Sequence, residues 1–197
     1  MLKKIKTLLM EKHPLLLLCF VSLIFNLIFL SQKYQEQMTK AIERINSNIT
    51  IQKPIPYVVY MTWEYKPLSV KVQANIDKLK AENPEFEFKI FDGNERREFI
   101  ASNFDTSVIE AYDHLVPGAY KADLWRYCAL YLNGGIYLDM DLKFINGFRL
   151  TSLMDNNEYF VKDINDQGIW NGFIVARAGN KRLLNAINMI ISNVKNR

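Results

Sequence analysis

Between residues 54 and 197, short apolar runs alternate with segments of helical character, and this alternation restricts the chain to few folds. Side chains that favour buried strands dominate three short runs, at residues 57–61, 86–91 and 136–138. Two further short strands are predicted at residues 159–161 and 173–175. Helices are predicted at residues 69–79, 94–103, 107–115, 118–132 and 180–194. Strands that alternate with helices indicate an α/β fold with a mostly parallel central sheet.

Residues 14–30 form an apolar run of 17 residues without a charge. A helix of this length just spans a bilayer core of about 30 Å. Four lysines precede the run, and acidic and basic residues alternate after it. This bias predicts a cytoplasmic tail at residues 1–13, a transmembrane signal anchor at 14–30, a polar stalk at 31–53 and a folded domain at 54–197. The alternative is a cleaved secretory signal, but no small-residue cleavage site follows Leu30.

This topology predicts a single-pass type II membrane protein whose folded domain lies on the non-cytoplasmic side. The setting is the Golgi or ER lumen in a eukaryote, with a bacterial envelope or a virus left open. Asn48 begins an N-glycosylation sequon on that side, although such triplets also arise by chance. The net charge of +4 is carried by residues 1–50, and residues 51–197 hold equal numbers of basic and acidic side chains. The folded part therefore lacks the basic excess of a nucleic-acid binder.

Two carboxylates, Asp139 and Asp141, follow the apolar strand at residues 136–138. In extended chain, side chains two residues apart point to the same face, so the two should project together. Ligands collect at the carboxyl ends of strands in open α/β sheets. Two hard oxygen ligands there suit Mn²⁺ or Mg²⁺, which completes its shell with water and substrate phosphates. Taken alone, the triplet is also consistent with a solvated turn.

The helix before this strand carries a second pair of charges, Asp123 and Arg126, which are neighbours on one helix face. An ordinary surface ion pair is the alternative, but the helix is otherwise nearly all apolar after Lys121. Trp125, Ala129 and Leu132 can face inward. Asn133-Gly134-Gly135 should end the helix by a glycine cap.

Three segments together resemble a known family: residues 54–63 (PIPYVVYMTW), 83–92 (NPEFEFKIFD) and 121–141 (KADLWRYCALYLNGGIYLDMD). They are similar to the sugar-binding region containing the DXD motif in glycosyltransferase family 32. That family includes initiating α-1,6-mannosyltransferases and α-1,4-galactosyltransferases, and it is related to the glucosyltransferase domains of clostridial toxins. The resemblance implies a GT-A-like nucleotide-sugar-binding fold. It also implies a metal-dependent transfer, with retention, from a UDP- or GDP-sugar to a glycan, glycolipid or protein-linked acceptor.

The resemblance also implies roles for individual residues. Asp141 would bind Mn²⁺ or Mg²⁺, and Asp139 would contact the ribose or donor sugar and support the metal. Asp123 and Arg126 would hold the hydroxyls of the donor sugar, with Arg126 also near the diphosphate. Tyr137 would line the nucleoside pocket, although it could equally pack on the core.

Two assignments are less specific. Trp63 would stack on the base, with a core tryptophan as the equal alternative. Asn171 matches a position near the acceptor side of the sugar, with a turn-forming asparagine before Gly172 as the alternative. Family members usually continue with a segment that closes over the diphosphate, whereas this chain ends at Arg197.

Other residues are assigned structural roles. Cys128 is interpreted as a small buried apolar residue, and His114 as a residue at a helix terminus. His13 flanks the apolar run, so no general base is evident. The rival functions are a phosphoesterase or a glycosidase, and a non-catalytic membrane protein with the same fold. The carboxyls of a glycosidase should flank the bond about 5–10 Å apart on facing elements.

Overall fold

The computed structural model describes residues 14–48, 54–164 and 168–196, with side chains described for 21–41 in the first range. The chain divides into two units, Met1–Ile51 and Gln52–Arg197. The first contains helix α1, Pro14–Asn48. Within the described part of the chain, no helix combines the length and apolar content needed to cross a membrane. The anchor predicted at residues 14–30 is therefore not shown, and the tail at residues 1–13 and the end of the Asn48 sequon lie outside the described residues.

The second unit is built on a five-stranded sheet in the order β2-β1-β3-β5-β4. The strands are β1, Val58–Thr62; β2, Glu87–Phe91; β3, Gly135–Leu138; β4, Tyr159–Lys162; and β5, Ile169–Ala176. Strand β1 pairs in parallel with β2 and β3, whereas β5 pairs antiparallel with β3 and β4. The predicted strands are confirmed, but the sheet is mixed and not mostly parallel in its pairing. The connection from β4 to β5 is too short for the crossover that a parallel pair requires.

Helices cover both faces of this sheet, and each predicted helix is confirmed. They are α2, Val70–Glu82; α3, Gly93–Asn103; α4, Thr106–His114; α5, Gly118–Asn133; and α6, Lys181–Lys195. A 3₁₀ helix spans Leu150–Leu153. The start of α3 is set by a capping box, in which the Asp92 carboxylate accepts from the Glu95 amide and Glu95 accepts from the Asp92 amide.

The alternation of side chains along β1 and β3 separates two apolar cores. Tyr60 and Tyr137 point into the core that contains Trp125 of α5 and Leu183 of α6. The second core lies on the opposite face of the sheet and includes Ile76 and Leu79 of α2. The neighbouring residues along the two strands point into it: Val59, Met61, Ile136 and Leu138. Trp125 and Ala129 face inward as predicted, but Leu132 is 40% exposed. Leu132 lies in the last turn of α5.

Two glycines allow α5 to pass directly into β3. Gly134 has a φ of 69°, and its amide donates to the Leu130 carbonyl at 2.8 Å, which confirms the predicted glycine cap. Gly135 has a φ of 116°, and a Cβ on it would stand 2.7 Å from the Val58 carbonyl oxygen. The end of α5 is thereby set directly against β1, and the residues after β3 are placed at the carboxyl edge of the sheet.

Candidate functional site

The guanidinium of Arg126 is the centre of a polar cluster beyond the end of β3. The residue is 5% exposed. Its Nη2 lies 3.1 Å from Asp123 Oδ1, and its Nη1 lies 3.4 Å from Asp139 Oδ1. The predicted pair of Asp123 and Arg126 is therefore not an isolated surface ion pair, because the DXD carboxylate Asp139 shares the same cation.

Tyr137 contacts both Arg126 and Asp139 within this cluster. The Arg126 guanidinium lies over the Tyr137 ring, 4.2 Å from its centroid, and the Tyr137 hydroxyl donates to Asp139 Oδ1 at 2.7 Å. Burial raises the pKa of Tyr137, so its hydroxyl remains a hydrogen-bond donor at neutral pH. The side chain is 1% exposed. In this structure it orients Arg126 and Asp139 and offers little surface to a nucleoside.

Asn171 closes the cluster from β5 and does not lie in a turn, so the turn-forming alternative is wrong. Arg126 Nη1 donates to the Asn171 carbonyl at 2.8 Å and to Asn171 Oδ1 at 3.1 Å. In return, Asn171 Nδ2 donates to Asp123 Oδ1 at 3.0 Å and to the Tyr127 hydroxyl at 3.2 Å. Sequence reasoning missed Tyr127, although its position four residues after Asp123 places both on one helix face.

Asp123 has an environment that opposes its ionisation. Burial raises the pKa of Asp123 above its usual value of 3.8, although Arg126 and the Asn171 amide act in the opposite direction. A raised folded-state pKa means that the ionised carboxylate costs some stability, which is recovered as pH falls through that pKa. Its contacts with Arg126 and Asn171 place the Asp123 carboxylate so that it can accept hydrogen bonds from ligand hydroxyls.

We expect Asp123 to titrate above 3.8 in an NMR titration of the chain labelled with ¹³C-aspartate. Asp113 supplies the internal control, because its hydrogen bond with Arg97 lowers its pKa. In the same spectra its midpoint should therefore lie below 3.8. A midpoint for Asp123 below that of Asp113 would contradict the described burial of the Asp123 carboxylate.

The DXD segment itself departs from the predicted extended chain. The Asp139 amide donates to the Gly172 carbonyl at 2.9 Å, and the Leu142 amide donates to the Asp139 carbonyl at 3.2 Å. The second bond closes a turn at Met140 and Asp141, so the argument that Asp139 and Asp141 share a strand face is wrong. Asp139 lies against Arg126 on the side of α5, while Asp141 lines a cavity of about 580 Å³ on the side of α2.

Asn75 of α2 holds this turn in place. Its Nδ2 donates to the carbonyl oxygens of both Met140 and Leu142, at 2.9 Å each. Sequence reasoning did not identify Asn75. The signal available was an asparagine in the middle of a helix, where its propensity is poor.

Asp139 and Asp141 suit a divalent cation whose remaining ligands are water and substrate phosphates. Among the described residues, no group of three or more histidine, cysteine or acidic side chains forms a metal-binding cluster. Mg²⁺ and similar ions are commonly held by one or two carboxylates together with water and substrate phosphates. Asp141 is exposed, and Asp139 keeps a second oxygen beyond the one that accepts from Tyr137. These two carboxylates could therefore hold such an ion.

Gly172 sets the distance between Asp139 and β5. A Cβ on Gly172 would stand 2.5 Å from Asp139 Oδ2 and 2.5 Å from the Trp170 ring. The site therefore requires glycine at this position, because the Trp170 indole and the Asp139 carboxylate both occupy the space that a Cβ would need.

Trp63 lies just beyond β1 and is 42% exposed. The alternative of a core tryptophan is therefore wrong, and its indole is accessible at the carboxyl edge of the sheet. Buried Arg96 holds the flanking residues, donating to Thr62 Oγ1 at 2.9 Å and to Glu64 Oε2 at 2.5 Å. Arg96 stands in a run of charged residues, and nothing in the sequence distinguishes it from a solvated surface arginine.

The two other singled-out residues have the structural roles predicted for them. Cys128 is fully buried and free, and burial raises the pKa of its thiol. His114 ends α4, exposed, with its Nδ1 2.8 Å from the Glu110 carbonyl oxygen. Neither belongs to the cluster around Arg126.

Comparison with known proteins relates this site to sugar transfer. Residues 69–160 match the family model described as glycosyltransferase sugar-binding region containing DXD motif. That range contains Asn75, Asp123, Arg126 and the DXD turn, but neither Trp63 nor Asn171. The match confirms the family resemblance.

Two curated relatives and one solved structure are similar to the chain. An uncharacterized glycosyltransferase, L373 of Acanthamoeba polyphaga mimivirus, is 32% identical over 90 residues, or 45% of this chain and 36% of the relative. Inositol phosphoceramide mannosyltransferase 3 of Schizosaccharomyces pombe is 31% identical over 88 residues, or 45% of this chain and 24% of the relative. The chain thus spans about a third and a quarter of their lengths. The structure of PaToxG Glycosyltransferase is similar with a TM-score of 0.49 at 18% identity, covering 80% of this chain and 69% of that one.

Proposed function

We propose that this chain, whose residues 69–160 match the family model described as glycosyltransferase sugar-binding region containing DXD motif, transfers a sugar from a UDP- or GDP-sugar to a hydroxyl group. The acceptor is a glycan or glycolipid, and the anomeric configuration is retained. The observation that carries this proposal is the convergence of Asp123, Asp139 and Asn171 on the buried Arg126, beside Asp141.

The charges of the cluster suit a donor that arrives with a cation. Arg126 balances one of the two carboxylates that it contacts, so Asp123 and Asp139 together keep one net negative charge, and Asp141 adds another. This negative charge favours a divalent cation, and the cation in turn favours the negative diphosphate. The Arg126 side chain is itself almost covered, which favours a role in orienting the two carboxylates over direct contact with the diphosphate.

The open faces of Asp123 and Asp139 are the groups that can bind the donor sugar. Their side chains are 31% and 33% exposed, so a ligand can reach each carboxylate from one side. Carboxylate oxygens accept hydrogen bonds from sugar hydroxyls, and Asn171 and Tyr127 keep the Asp123 carboxylate in one orientation. Trp63 offers an exposed aromatic face for the base of the nucleotide.

Asp141 and Asp139 would hold Mn²⁺ or Mg²⁺. The ion would supply electrostatic stabilisation of the departing diphosphate. This chain's own contribution is to hold the two carboxylates at the edge of the sheet through Asn75, Tyr137 and Arg126. His114 does not belong to the cluster, and His13 lies outside the described residues, so no side-chain base is assigned to the acceptor hydroxyl.

The test is nucleotide release by the full chain, supplied with Mn²⁺ and a panel of UDP- and GDP-sugars. We expect release with one donor, and a loss of about 100-fold in Asp141→Asn, by analogy with the removal of a group that stabilises the transition state. Asp77→Asn is the matched control, because Asp77 is an exposed carboxylate of α2 whose partner is Gln73. It should retain the activity of the unchanged chain.

Other outcomes would identify the rival functions. Full Mn²⁺-dependent release by Asp141→Asn would contradict the proposed metal site. Binding of UDP or GDP without release of nucleotide from any donor would indicate a catalytically incomplete nucleotide-sugar-binding protein of the same fold. Hydrolysis of a plain glycoside without a nucleotide would indicate a glycosidase.

A further inference from the structure

The carboxylate of Glu64, the residue that follows Trp63, lies between the first turns of two helices. Its Oε1 stands 3.2 Å from the position that a Cβ would take on Gly93, and its Oε2 stands 2.9 Å from the corresponding position on Gly118. These glycines are the first residues of α3 and α5. The absence of a side chain at both positions leaves the space that the Glu64 carboxylate occupies.

Buried Arg96 holds Glu64 in this place. Arg96 Nη2 donates to Glu64 Oε2 at 2.5 Å, and Arg96 Nη1 donates to Thr62 Oγ1 at 2.9 Å. The Nε of Arg96 donates to the Tyr112 hydroxyl at 3.3 Å, and the arginine side chain is 2% exposed. Because a buried cation without a partner is costly, Arg96 favours the orientation of Glu64 that keeps the two side chains in contact.

The helix ends beside Glu64 also favour its negative charge. The N-terminus of a helix carries a partial positive charge that attracts a carboxylate. Among the described residues, no side chain hydrogen-bonds to the first turn of α5, whose N-cap residue is Pro117. Since α5 carries Asp123 and Arg126, Glu64 joins the end of β1 to the helix of the candidate site.

The backbone around Trp63 is anchored by hydrogen bonds as well. The Trp63 amide donates to the Phe91 carbonyl at 3.1 Å, and the Gly93 amide donates to the Glu64 carbonyl at 3.2 Å. The Thr62 hydroxyl donates to the Phe91 carbonyl at 2.7 Å. Trp63 is therefore an exposed aromatic side chain on a segment that is fixed to β2 and α3 on both sides of it.

We propose that Glu64 is a positioning residue, which holds the Trp63 indole in the orientation that receives the base of the nucleotide. A side chain that is ordered before binding loses less conformational entropy when the ligand binds. Glu64 should therefore affect KM for the donor but not kcat, as expected for binding that is equal in the ground and transition states. The inference rests on the proposed function, because it requires that the base stacks on Trp63.

The test is the affinity of the full chain for UDP and GDP with Mn²⁺, measured by calorimetry. Trp63→Ala should raise Kd by about 30-fold, within the range found for loss of stacking between a base and an aromatic side chain. Glu64→Ala should raise Kd by about tenfold, because a disordered indole retains only part of the stacking energy. In a chain that already carries Trp63→Ala, Glu64→Ala should change Kd by less than about twofold, since the two effects are coupled.

Gly118→Ala displaces the Glu64 carboxylate without removing its charge. The added Cβ would stand 2.9 Å from Glu64 Oε2, and alanine suits the helical backbone at this position. This variant should show the same loss of affinity as Glu64→Ala, with little change in thermal stability. Glu85→Ala is the matched control: Glu85 is also 42% exposed and lies 2.5 Å from an arginine, but that arginine, Arg149, is itself exposed. It should bind nucleotide as the unchanged chain does.

A measurement without ligand reports the orientation of Trp63 directly. The chain contains three tryptophans, and ¹⁵N relaxation of their indole N–H groups follows the motion of each ring. Glu64→Ala should lower the order parameter of the Trp63 indole. The order parameters of Trp125 and Trp170 should remain those of the unchanged chain.

Three results would overturn the inference. The first is a nucleotide Kd, or an order parameter of Trp63, that is unchanged in Glu64→Ala. The second is an equal loss of affinity with and without the Trp63 indole, which would assign Glu64 a structural role that is independent of that ring. The third is a lower kcat at unchanged nucleotide affinity, which would assign Glu64 to the reacting groups.

Nucleotide release from UDP- and GDP-sugars, measured on the same samples, tests the proposed function separately. If release is absent but nucleotide binds with the expected coupling of Glu64 and Trp63, the transferase is contradicted and the role of Glu64 stands. If the unchanged chain binds neither UDP nor GDP, the proposed function and this inference are both contradicted.

Discussion

Replacement of Arg126 by methionine is expected to lower kcat/KM for donor turnover by about 10³-fold, near the upper end for loss of one preorganised group. The substitution removes the guanidinium that pairs with Asp123 and Asp139. The same group also donates a hydrogen bond to the Asn171 carbonyl oxygen. The free energy of unfolding should fall by about 3 kcal/mol, at the lower end for a broken buried pair, because both carboxylates are partly solvated. Steady-state kinetics and denaturant unfolding measure the two effects.

Arg97→Met is the matched control for this substitution. Arg97 also makes a charged pair, with two hydrogen bonds of 2.8 and 2.7 Å to Asp113, but the pair is exposed. Its loss should change stability much less than the loss of Arg126, because solvent screens an exposed pair, and should leave turnover unaltered. If Arg126→Met behaved like Arg97→Met, the cluster around Arg126 would not be the catalytic site.

Replacement of Gly172 by alanine is expected to lower donor turnover by about 100-fold, the order of loss that a displacement of about 1 Å produces at a reacting centre. The added Cβ would stand 2.5 Å from both Asp139 Oδ2 and the Trp170 ring, so one or both must move. Asp139 is already held by Tyr137 and Arg126, and its displacement disturbs those contacts as well. The overpacking should also destabilise the fold by about 1–3 kcal/mol.

Gly168→Ala provides the control within the same segment of chain. A Cβ on Gly168 would meet no heavy atom within 4 Å. Turnover and thermal stability should therefore stay at the values of the unchanged chain. An equal loss in both variants would show that the effect comes from the β4–β5 segment as a whole and not from the contact with Asp139.

The central part of the candidate site could be predicted from the sequence because its geometry is local. Asp123 and Arg126 are neighbours on one turn of α5, and Gly134 and Gly135 end that helix at a defined point. Tyr137 and Asp139 are then two residues apart where β3 ends, which places them on one side of the sheet. Helix periodicity, glycine conformation and strand alternation are properties of short segments, so they can be recognised without a fold.

The features of the site that differ from the sequence-based predictions share one physical cause. They depend on contacts between distant parts of the chain. The chain turns at Met140 and Asp141, where Asn75, more than 60 residues earlier, donates to the carbonyl oxygens of Met140 and Leu142. Trp63 is exposed because buried Arg96 holds the residues on either side of it.

By itself, the sequence determined the α/β order of the elements and the block from Asp123 to Asp141, because periodicity and glycine positions act over a few residues. Only the tertiary structure decided that β5 runs antiparallel beside β3, which places Asn171 on Arg126 and Gly172 against Asp139. Those hydrogen bonds and close contacts join residues more than 30 positions apart. Their formation depends on how the whole sheet packs, which no short pattern in the chain records.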